Sequence, residues 1–535
     1  MNPNPAGHLS FVLHCHLPFI RHPEHEYFLE EQWLFEAVLE TYLPLLDVFE
    51  DLTRKKIPYK ATLSISPTLL AMWQDPLLQE RTLRYMDDLS ELCEKEWERV
   101  APLPDFQPVV QMYRTKLGHF RKKFEKDYQR DITRGLKKLK RTGNLEIMAC
   151  AATHGYLPLL SVRQSAVNAQ MEVALKAYRE VFGSGPEGFW LPECGFIPGL
   201  DQVLKDHGLR YFLLDTHGLL HSRPQAKFGS FAPVRCASGI SVFARDAESS
   251  KEVWSSKEGY PGDPDYREFY RDVGWDLGEE YLRPYVRPEG VRRFTGLKYY
   301  RVTGGEAPKE PYQPEKALAK VKEHARDFLF KRQRQMDGIG KSMDRLPSIV
   351  CMYDAELFGH WWYEGPEFLK SLFEINHQEN LAIQFKTPSQ VLDLQPELQT
   401  VEPSTSSWGF GGYSNFWLNE TNDWIYPLLT KACDKMMELT VLFPLARGTM
   451  RSALDQAARE LLLAQASDWA FMMKTGHFKA YAQGRVRTHL ERFDNLYDQI
   501  KTRRINKEML GDLGKRDNLF PWIDYRAFQL SSKSR

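Results

Sequence analysis

The chain has 535 residues, of which 42% are hydrophobic and 27% charged, and 71 Lys and Arg balance 71 Asp and Glu. This length predicts two or three domains, or one large barrel with attachments. Zero net charge disfavours nucleic acid or an anionic membrane as the main partner, and no apolar stretch is long enough to span a membrane. We expect a monomer or a weak oligomer.

Cysteine usage and the amino terminus both indicate a cytoplasmic protein. The seven cysteines are scattered without a Cys-x-x-Cys pair, which predicts reduced thiols rather than a disulfide framework. The first residues, MNPNPAGHLSF, have neither the charged start nor the apolar core of a signal peptide. Aromatic residues make up 13% of the chain, which fits either aromatic-rich packing or stacking against sugar rings.

Seven short apolar runs, each followed by polar or ionisable residues, predict parallel strands with both faces covered. In chain order they are 9–13, 60–65, 145–152, 188–192, 211–214, 241–244 and 348–353. Amphipathic segments between them, such as 32–52 and 164–183, predict helices, so the expected fold class is α/β. Because polar residues end all seven strands, a β/α barrel with its site at the carboxyl ends is favoured over a doubly wound sheet.

Two regions lack the strand pattern and predict helical domains. Residues 76–142 are highly charged and read as helices only, like a domain inserted into the barrel, and residues 420–505 are helical again. The resulting domain assignment is a catalytic barrel in 1–75 and 143–400, a helical insertion in 76–142, and a C-terminal helical domain in 401–535.

Two carboxylates stand at the ends of different predicted strands. Glu193 follows GFWLP, and Asp354 follows SIVCMY. A convergent pair suits acid–base chemistry or glycosyl transfer, in which one carboxylate attacks the anomeric carbon and the other protonates the leaving oxygen. Either acid alone would be equally compatible with a structural salt bridge, but their shared position at strand ends favours a functional site.

Histidines occupy further strand ends. His14 and His16 are two residues apart on one strand, so their side chains share a face and could ligate a metal or hydrogen-bond a substrate. His154 and His217 make a metal site geometrically possible as well. No HExxH motif or Cys-rich pattern supports zinc, and we therefore assign no metal.

Several tryptophans lie in polar, Gly- and Asn-rich surroundings rather than in apolar runs: Trp275, Trp408, Trp417 and Trp424. Such settings, VGWDLG and SSWGFGGYSNFWLNETNDW, indicate a binding surface more than a core. Trp275 belongs to the segment 246–312, which is rich in Gly, Pro, Tyr and Arg, and a loop this long is usually functional.

Five of these motifs, in this order and over nearly the whole chain, resemble those of glycoside hydrolase family 57: HCHLP, EIMACAATHGYLPLL, GFWLPECGF, CMYDAELFGHWWYEGP and SSWGFGGYSNFWLNETNDW. Two further segments, ESSKEVWSSKEGYPGDPDYREFYRDVGWD and ASDWAFMMKTG, resemble the α-1,4-glucan branching enzyme type of that family. The resemblance implies a (β/α)7 barrel with a helical insertion and a C-terminal helical domain. It also implies a retaining mechanism that needs neither metal nor cofactor.

The same resemblance implies roles for individual residues. Glu193 would be the nucleophile and Asp354 the general acid/base, with their carboxyl groups about 5–5.5 Å apart. Hydrogen bonds or a nearby histidine should stabilise the charge of Glu193, whereas apolar surroundings and that charge should raise the pKa of Asp354. The implied substrate-binding residues are His14, His16 and His154 at the sugar site, Trp275, Trp408 and Trp417 along the glucan groove, and Asp468 and Trp469 closing one side of it.

The implied activity cleaves α-1,4 linkages of an amylose- or glycogen-like glucan and forms α-1,6 branches through a covalent glucosyl-enzyme. An α-amylase or 4-α-glucanotransferase with little branching stays open. The branching type is expected to carry a mobile loop with a tyrosine near the site, yet the segment 227–243 has none, and the next tyrosine is Tyr260. A metal-dependent polysaccharide deacetylase also stays open, as does a non-catalytic glucan-binding protein, although the presence of both carboxylates counts against the latter.

Overall fold

A curled, mainly parallel β-sheet forms the centre of the molecule in a computed structural model that describes residues 4–255, 258–286, 292–303 and 308–529. The strands are β1 (Gly7–Cys15), β2 (Ala61–Ile65), β3 (Leu145–Cys150), β4 (Gly188–Trp190), β5 (Tyr211–Leu214), β6 (Val234–Arg235), β7 (Ser241–Ala244), β8 (Ser348–Asp354) and β9 (Ile383–Phe385). Their spatial order is β6-β7-β5-β4-β3-β2-β1-β8, with β9 pairing to β1, and only the β6–β7 pair is antiparallel.

All seven predicted strands are confirmed, as β1 to β5, β7 and β8. Every residue of β1 and β2 is buried, which agrees with strands covered on both faces. The sequence did not reveal β6 and β9, because strands of two and three residues carry no readable alternation. In the described chain β7 and β8 share no strand ladder, but the Asp246 N–H, two residues beyond β7, donates to the carbonyl of Val350 inside β8 (2.9 Å).

Helices cover the outside of the sheet and form the two predicted helical regions. Outside those two regions the helices are α1 (Gln32–Ala37), α2 (Leu43–Arg54), α3 (Pro67–Gln74), α7 (Leu157–Leu160), α8 (Gln164–Phe182), α9 (Leu200–Asp206), α10 (Thr216–Leu220), α11 (Ala247–Trp254), α12 (Val273–Asp276), α13 (Glu279–Leu282), α14 (Pro314–Gly340), α15 (Gly365–Gln378) and α16 (Pro388–Leu394). Region 76–142 contains α4 (Pro76–Arg99), α5 (Gln107–Lys122) and α6 (Thr133–Arg141). The C-terminal region contains α17 (Ile425–Leu442), α18 (Gly448–Ala464), α19 (Ser467–Thr475), α20 (Lys479–Thr502) and α21 (Lys507–Arg516).

The segment 246–312 combines short helices with irregular chain, and its residues 256–257, 287–291 and 304–307 lie outside the described ranges. A fully buried carboxylate, Asp272, organises the described part. It accepts hydrogen bonds from the backbone N–H groups of Gly274 (2.8 Å), Thr295 (2.8 Å) and Gly296 (2.9 Å). These bonds hold two distant parts of the segment together without a strand or a long helix.

The C-terminal helices meet the sheet directly beside the end of β3. Gly155 and Ala466 form an isolated antiparallel bridge, and the Ser467 N–H donates to the His154 carbonyl at 3.1 Å. A Cβ atom at Gly155 would lie 2.7 Å from the Leu160 side chain and 2.8 Å from that of Gln170, so this turn is packed too closely for a larger residue. The start of α19 is thereby fixed against the carboxyl edge of the sheet.

The side chains agree with two further features of the sequence. All seven cysteines are free and buried, as the absence of paired spacing predicted. Within the described ranges we find no helix with both the length and the apolar character that a membrane span requires.

Candidate active site

A cavity of about 760 Å³ opens at the carboxyl ends of the strands. Eight of the predicted site residues line it together: His14, His16, His154, Glu193, Asp354, Trp408, Trp417 and Asp468. They come from β1, β8, the turns after β3 and β4, the loop before α17, and α19. These eight residues, up to 454 positions apart in the sequence, therefore contribute to one surface, as expected for a site built on parallel strand ends.

Strand register explains why the first histidine lies beside the second carboxylate. His14 in β1 is the Cα partner of Ser64 in β2 on one side and of Asp354 in β8 on the other. The His14 Nδ1 atom lies 3.1 Å from the Ser64 Oγ. Two residues further on, the His16 Nδ1 lies 2.9 Å from the Ser66 Oγ, so both imidazoles are oriented by serines of the neighbouring chain segment.

Glu193 sits in a strained turn directly after β4. Its φ of 61° and ψ of 22° place a non-glycine residue in the left-handed region, which costs about 1–3 kcal/mol and is typical of functional positions. The carboxylate accepts a hydrogen bond from the Trp408 indole N–H at Oε2 (2.7 Å) and from the Ser467 hydroxyl at Oε1 (2.9 Å). The loop before α17 thus holds one carboxylate oxygen, and the start of α19 holds the other.

The ionisation of Glu193 is less favourable than the sequence suggested. Burial raises the pKa of this carboxyl group to about 7, and the charge of Asp468 acts in the same direction. The hydrogen bonds from Trp408 and Ser467 and the charge of His16 lower the pKa, as predicted, but they do not outweigh burial. The group is therefore balanced between its two protonation states near neutral pH.

The environment of Asp354 favours its protonated form. Burial raises the pKa of this carboxyl group well above its ordinary value, and the charges of Glu356 and Glu193 raise it further, while Arg245 opposes them. This direction confirms the expected upward shift, although Glu356 contributes more than Glu193. Glu356 itself is fixed by the Tyr42 hydroxyl and by the His16 backbone N–H (3.1 Å).

The three histidines form a connected cluster. Each of their six ring nitrogens already has a hydrogen-bond partner within the protein, at 2.8–3.1 Å. The His16 and His154 rings are stacked with centroids 3.7 Å apart, and together with Asp468 each offers a possible ligand atom within 4.8 Å of the others. His14, Cys150 and His154 form a second group of this kind. Burial lowers the pKa of His14 and of His154 well below the usual value. Burial also acts to lower the pKa of His16, but Asp468, 3.0 Å from His16 Nε2, together with Glu193 and Glu356 raises it.

Aromatic side chains form the walls of the cavity. Trp408 and Trp417 line it as predicted, and Trp417 is stacked on Tyr156 with a centroid distance of 5.0 Å. Two further tryptophans, Trp254 and Trp361, line it while remaining 40% and 51% exposed. Exposed indole faces beside buried carboxylates suit a ligand with both apolar faces and hydroxyl groups, such as a sugar chain.

Comparison with known proteins shows to which family the chain belongs. The family model described as "Glycosyl hydrolase family 57" matches residues 10–295, more than half of the 535-residue chain. The chain belongs to glycosyl hydrolase family 57. A second family model, described as "1,4-alpha-glucan branching enzyme, C-terminal", matches residues 428–528.

Several known proteins are similar to this chain over most of its length. A 1,4-alpha-glucan branching enzyme from Thermococcus kodakarensis is 32% identical over 96% of this chain and 77% of that protein. The crystal structure of the α-amylase AmyC from Thermotoga maritima has a TM-score of 0.92 at 41% identity, and covers 98% of this chain and 99% of that one. The family 57 branching enzyme from Pyrococcus horikoshii has a TM-score of 0.88 at 32% identity, covering 98% and 97%.

Two predicted residues of this family 57 protein lie outside the cavity. Trp469 does not close the groove: it is fully buried, and its indole N–H donates to the Leu463 carbonyl at 2.8 Å. On a helix, its neighbour Asp468 points in a direction about 100° away and reaches the cavity instead. Trp275 is half exposed and packs near Phe294 (6.3 Å between centroids), but it is not among the cavity-lining residues.

Sequence reasoning also missed residues that the fold brings to the site. Glu356 and Arg245 line the cavity, and Ser467 contacts Glu193. Arg245 is the first residue after a predicted strand and Glu356 the third residue after another, so their positions were a usable signal. Ser467 carried a weaker one, as the immediate neighbour of Asp468.

The segment in which a loop tyrosine was sought packs away from the cavity. Within 227–243, the Phe231 carbonyl accepts from Ser348 N–H (2.8 Å), and Arg235 N–H donates to the Gln399 carbonyl (2.9 Å). Tyr260 is buried and donates to Asp327 at 2.7 Å. Among the described residues that line the cavity there is no tyrosine.

Proposed function

We propose that this protein is a retaining 1,4-α-glucan branching enzyme whose nucleophile is Glu193 and whose general acid/base is Asp354. The observation that carries the proposal is the meeting of these two carboxyl groups in one tryptophan-lined cavity, in environments that separate their protonation states. The 32% identity to a branching enzyme over 96% of the chain supports the substrate class.

The geometry supports a two-step transfer. Asp354 gives its proton to the leaving oxygen of an α-1,4 linkage while Glu193, as the anion, attacks the anomeric carbon and forms the glucosyl-enzyme. The released chain end departs. Asp354, now the base, takes the proton from the 6-hydroxyl of a second glucan, whose oxygen displaces Glu193 and forms the α-1,6 branch. Each cycle leaves both carboxyl groups as they began.

A mainly hydrolytic reaction is the second candidate, and two observations favour it. Water resolves the same glucosyl-enzyme unless the cavity excludes it, and no tyrosine stands among the described lining residues. The α-amylase AmyC is 41% identical to this chain, against 32% for the Pyrococcus horikoshii branching enzyme. Both candidates use the same two carboxyl groups and differ only in the acceptor.

Incubation with amylose in the presence of EDTA tests the proposal and the absence of a metal together. Branching predicts a rise in reducing ends only after a debranching enzyme is added, because transfer conserves the number of reducing ends. If the number of reducing ends rises strongly before debranching and does not rise further afterwards, the reaction is hydrolysis. Loss of all activity in EDTA, restored by a divalent cation, would contradict the metal-free mechanism.

The finer domain layout belongs to the same proposal. We assign a (β/α)7 barrel to 1–75 and 143–400, a helical insertion to 76–142 and a C-terminal helical domain to 401–535. The helical character of 76–142 and the docking of α19 beside β3 support this division. Cytoplasmic location and a monomeric or weakly oligomeric state remain predictions from the sequence.

A further inference from the structure

A chain of four hydrogen bonds crosses the floor of the cavity and ends on Glu193. It runs from Ser64 Oγ to His14 Nδ1 (3.1 Å) and from His14 Nε2 to His154 Nε2 (2.9 Å). It continues from His154 Nδ1 to Ser467 Oγ (2.8 Å) and from Ser467 Oγ to Glu193 Oε1 (2.9 Å). Ser64, His14 and His154 belong to the sheet side of the cavity, and Ser467 belongs to α19.

The ionised form of Glu193 determines the direction of every bond in this chain. A carboxylate only accepts, so the single hydroxyl proton of Ser467 points to Oε1, and Ser467 must accept from His154 Nδ1–H. A neutral His154 then has a bare Nε2, which accepts from His14 Nε2–H. The remaining nitrogen, His14 Nδ1, accepts from the Ser64 hydroxyl. All donors and acceptors are satisfied in this one arrangement.

The surroundings keep both linking histidines neutral, as this arrangement requires. His14 and His154 are each 2% exposed. His16 is paired with Asp468 at 3.0 Å, and its ring lies against the face of His154 at 3.7 Å. A positive charge on His16 therefore disfavours a second one on His154.

Protonated Glu193 fits this cluster poorly. A proton on Oε1 would require Ser467 to accept from it, and both histidines would have to change tautomer to keep the chain connected. A proton on Oε2 would face the Trp408 indole, which can only donate. A proton on Oε2 therefore loses the bond from the Trp408 indole, and a proton on Oε1 requires all four bonds of the chain to reverse direction.

We propose that Ser467 is a positioning residue, through which the histidine chain favours the ionised form of Glu193 and fixes its carboxylate in one orientation. The inference rests on the proposed role of Glu193 as the nucleophile. It makes the C-terminal domain part of the catalytic machinery, because only the docking of α19 completes the chain.

The pH profile of Ser467→Ala tests this role. We expect the acid limb of kcat/KM for amylose cleavage to move to higher pH by about one unit, which is tenfold in activity below the limb. Ser467→Thr, which retains a hydroxyl, should return the limb toward its original position. Ser165→Ala is the matched control, since Ser165 is fully buried on α8 and its hydroxyl has no partner among the described residues.

The remaining titratable groups that face Glu193 stay in place in this variant. They are His16, His154, Cys150 and Asp354 from the strand ends, Cys194 from its own turn, Tyr156 from the loop after β3, and Asp468 from α19. A shift of the acid limb is therefore attributable to the lost hydroxyl. Lower activity with an unmoved limb would overturn the proposal and leave Ser467 a purely structural residue.

Histidine nitrogen NMR of the unmodified protein gives an independent measurement. The chain requires the proton on Nδ1 of His154 and on Nε2 of His14, and the opposite pair of tautomers at a pH above the acid limb would overturn it. Glu193→Gln distinguishes a failure of the proposed nucleophile from a failure of the proposed role of Ser467. Substantial activity in Glu193→Gln would refute the proposed nucleophile, whereas an inactive Glu193→Gln with an unmoved Ser467→Ala limb would refute only the role of Ser467.

Discussion

Glu193→Gln should reduce glucan cleavage at least about a thousandfold while the protein stays folded. The amide cannot attack the anomeric carbon, so neither hydrolysis nor branching can begin. Its oxygen can still accept from the Trp408 indole, and its NH₂ group can donate to Ser467, so the contacts that hold the side chain are retained. Initial rates on amylose, with a thermal unfolding curve for each protein, measure both parts of this expectation.

Glu146→Gln is the control for this change. Glu146 is also a partly buried glutamate on the sheet, but it lies at the start of β3, at the edge opposite to the cavity, and accepts from the Tyr211 hydroxyl (2.7 Å). The same loss of a negative charge there should leave cleavage within about twofold, because no reacting group is touched. Equal losses of cleavage activity in the two variants would mean that the loss in Glu193→Gln does not come from removing the nucleophile.

The sequence predicted the strands of the sheet and much of the site for one physical reason. Parallel strands covered on both faces are continuous apolar runs, so their carboxyl ends are visible wherever a run stops at a polar residue. Glu193, Asp354, His14 and His154 all lie where such runs end. Strand register then brings His14 beside Asp354 without any further information.

Contacts delivered by the C-terminal helices could not be predicted in the same way. The bond from Ser467 to Glu193 joins residues 274 positions apart, and it depends on the docking of α19 beside Gly155. The motif ASDWAFMMKTG indicated that this helix reaches the site but not which of its faces does so. Trp469 was therefore placed in the groove, although the helix turns it into the core.

The electrostatic balance at Glu193 was also beyond the sequence. Hydrogen bonds to the carboxylate were expected, and two are present, but the sequence contains no measure of burial or of the nearby Asp468. Burial destabilises the carboxylate more than the hydrogen bonds from Trp408 and Ser467 stabilise it, so the pKa of Glu193 rises to about 7 instead of falling. Burial thus raises the pKa of both carboxyl groups, and their roles differ because the pKa of Asp354 is raised further than that of Glu193.

Asp354→Asn should lower amylose cleavage by about 10²- to 10⁴-fold and remove the alkaline limb of the pH profile. The productive form of the interacting pair carries one proton, on Asp354. In the unmodified protein, kcat/KM therefore rises with pH as Glu193 ionises around pH 7 and falls again as Asp354, whose pKa is raised well above its usual value, loses its proton. The amide keeps the shape of the side chain but supplies no proton to the leaving oxygen.

A maltooligosaccharide α-fluoride distinguishes this chemical role from a structural one. Fluoride leaves without protonation, so Asp354→Asn should still form the glucosyl-enzyme from this donor, and its rate should no longer fall at high pH. The second step still needs a base to deprotonate the acceptor hydroxyl, so the glucosyl-enzyme should accumulate until azide, which needs no deprotonation, releases it. If the fluoride is turned over as slowly as amylose, with no release by azide, Asp354 is not the acid/base and Glu356, two residues beyond it in the same cavity, becomes the group to replace.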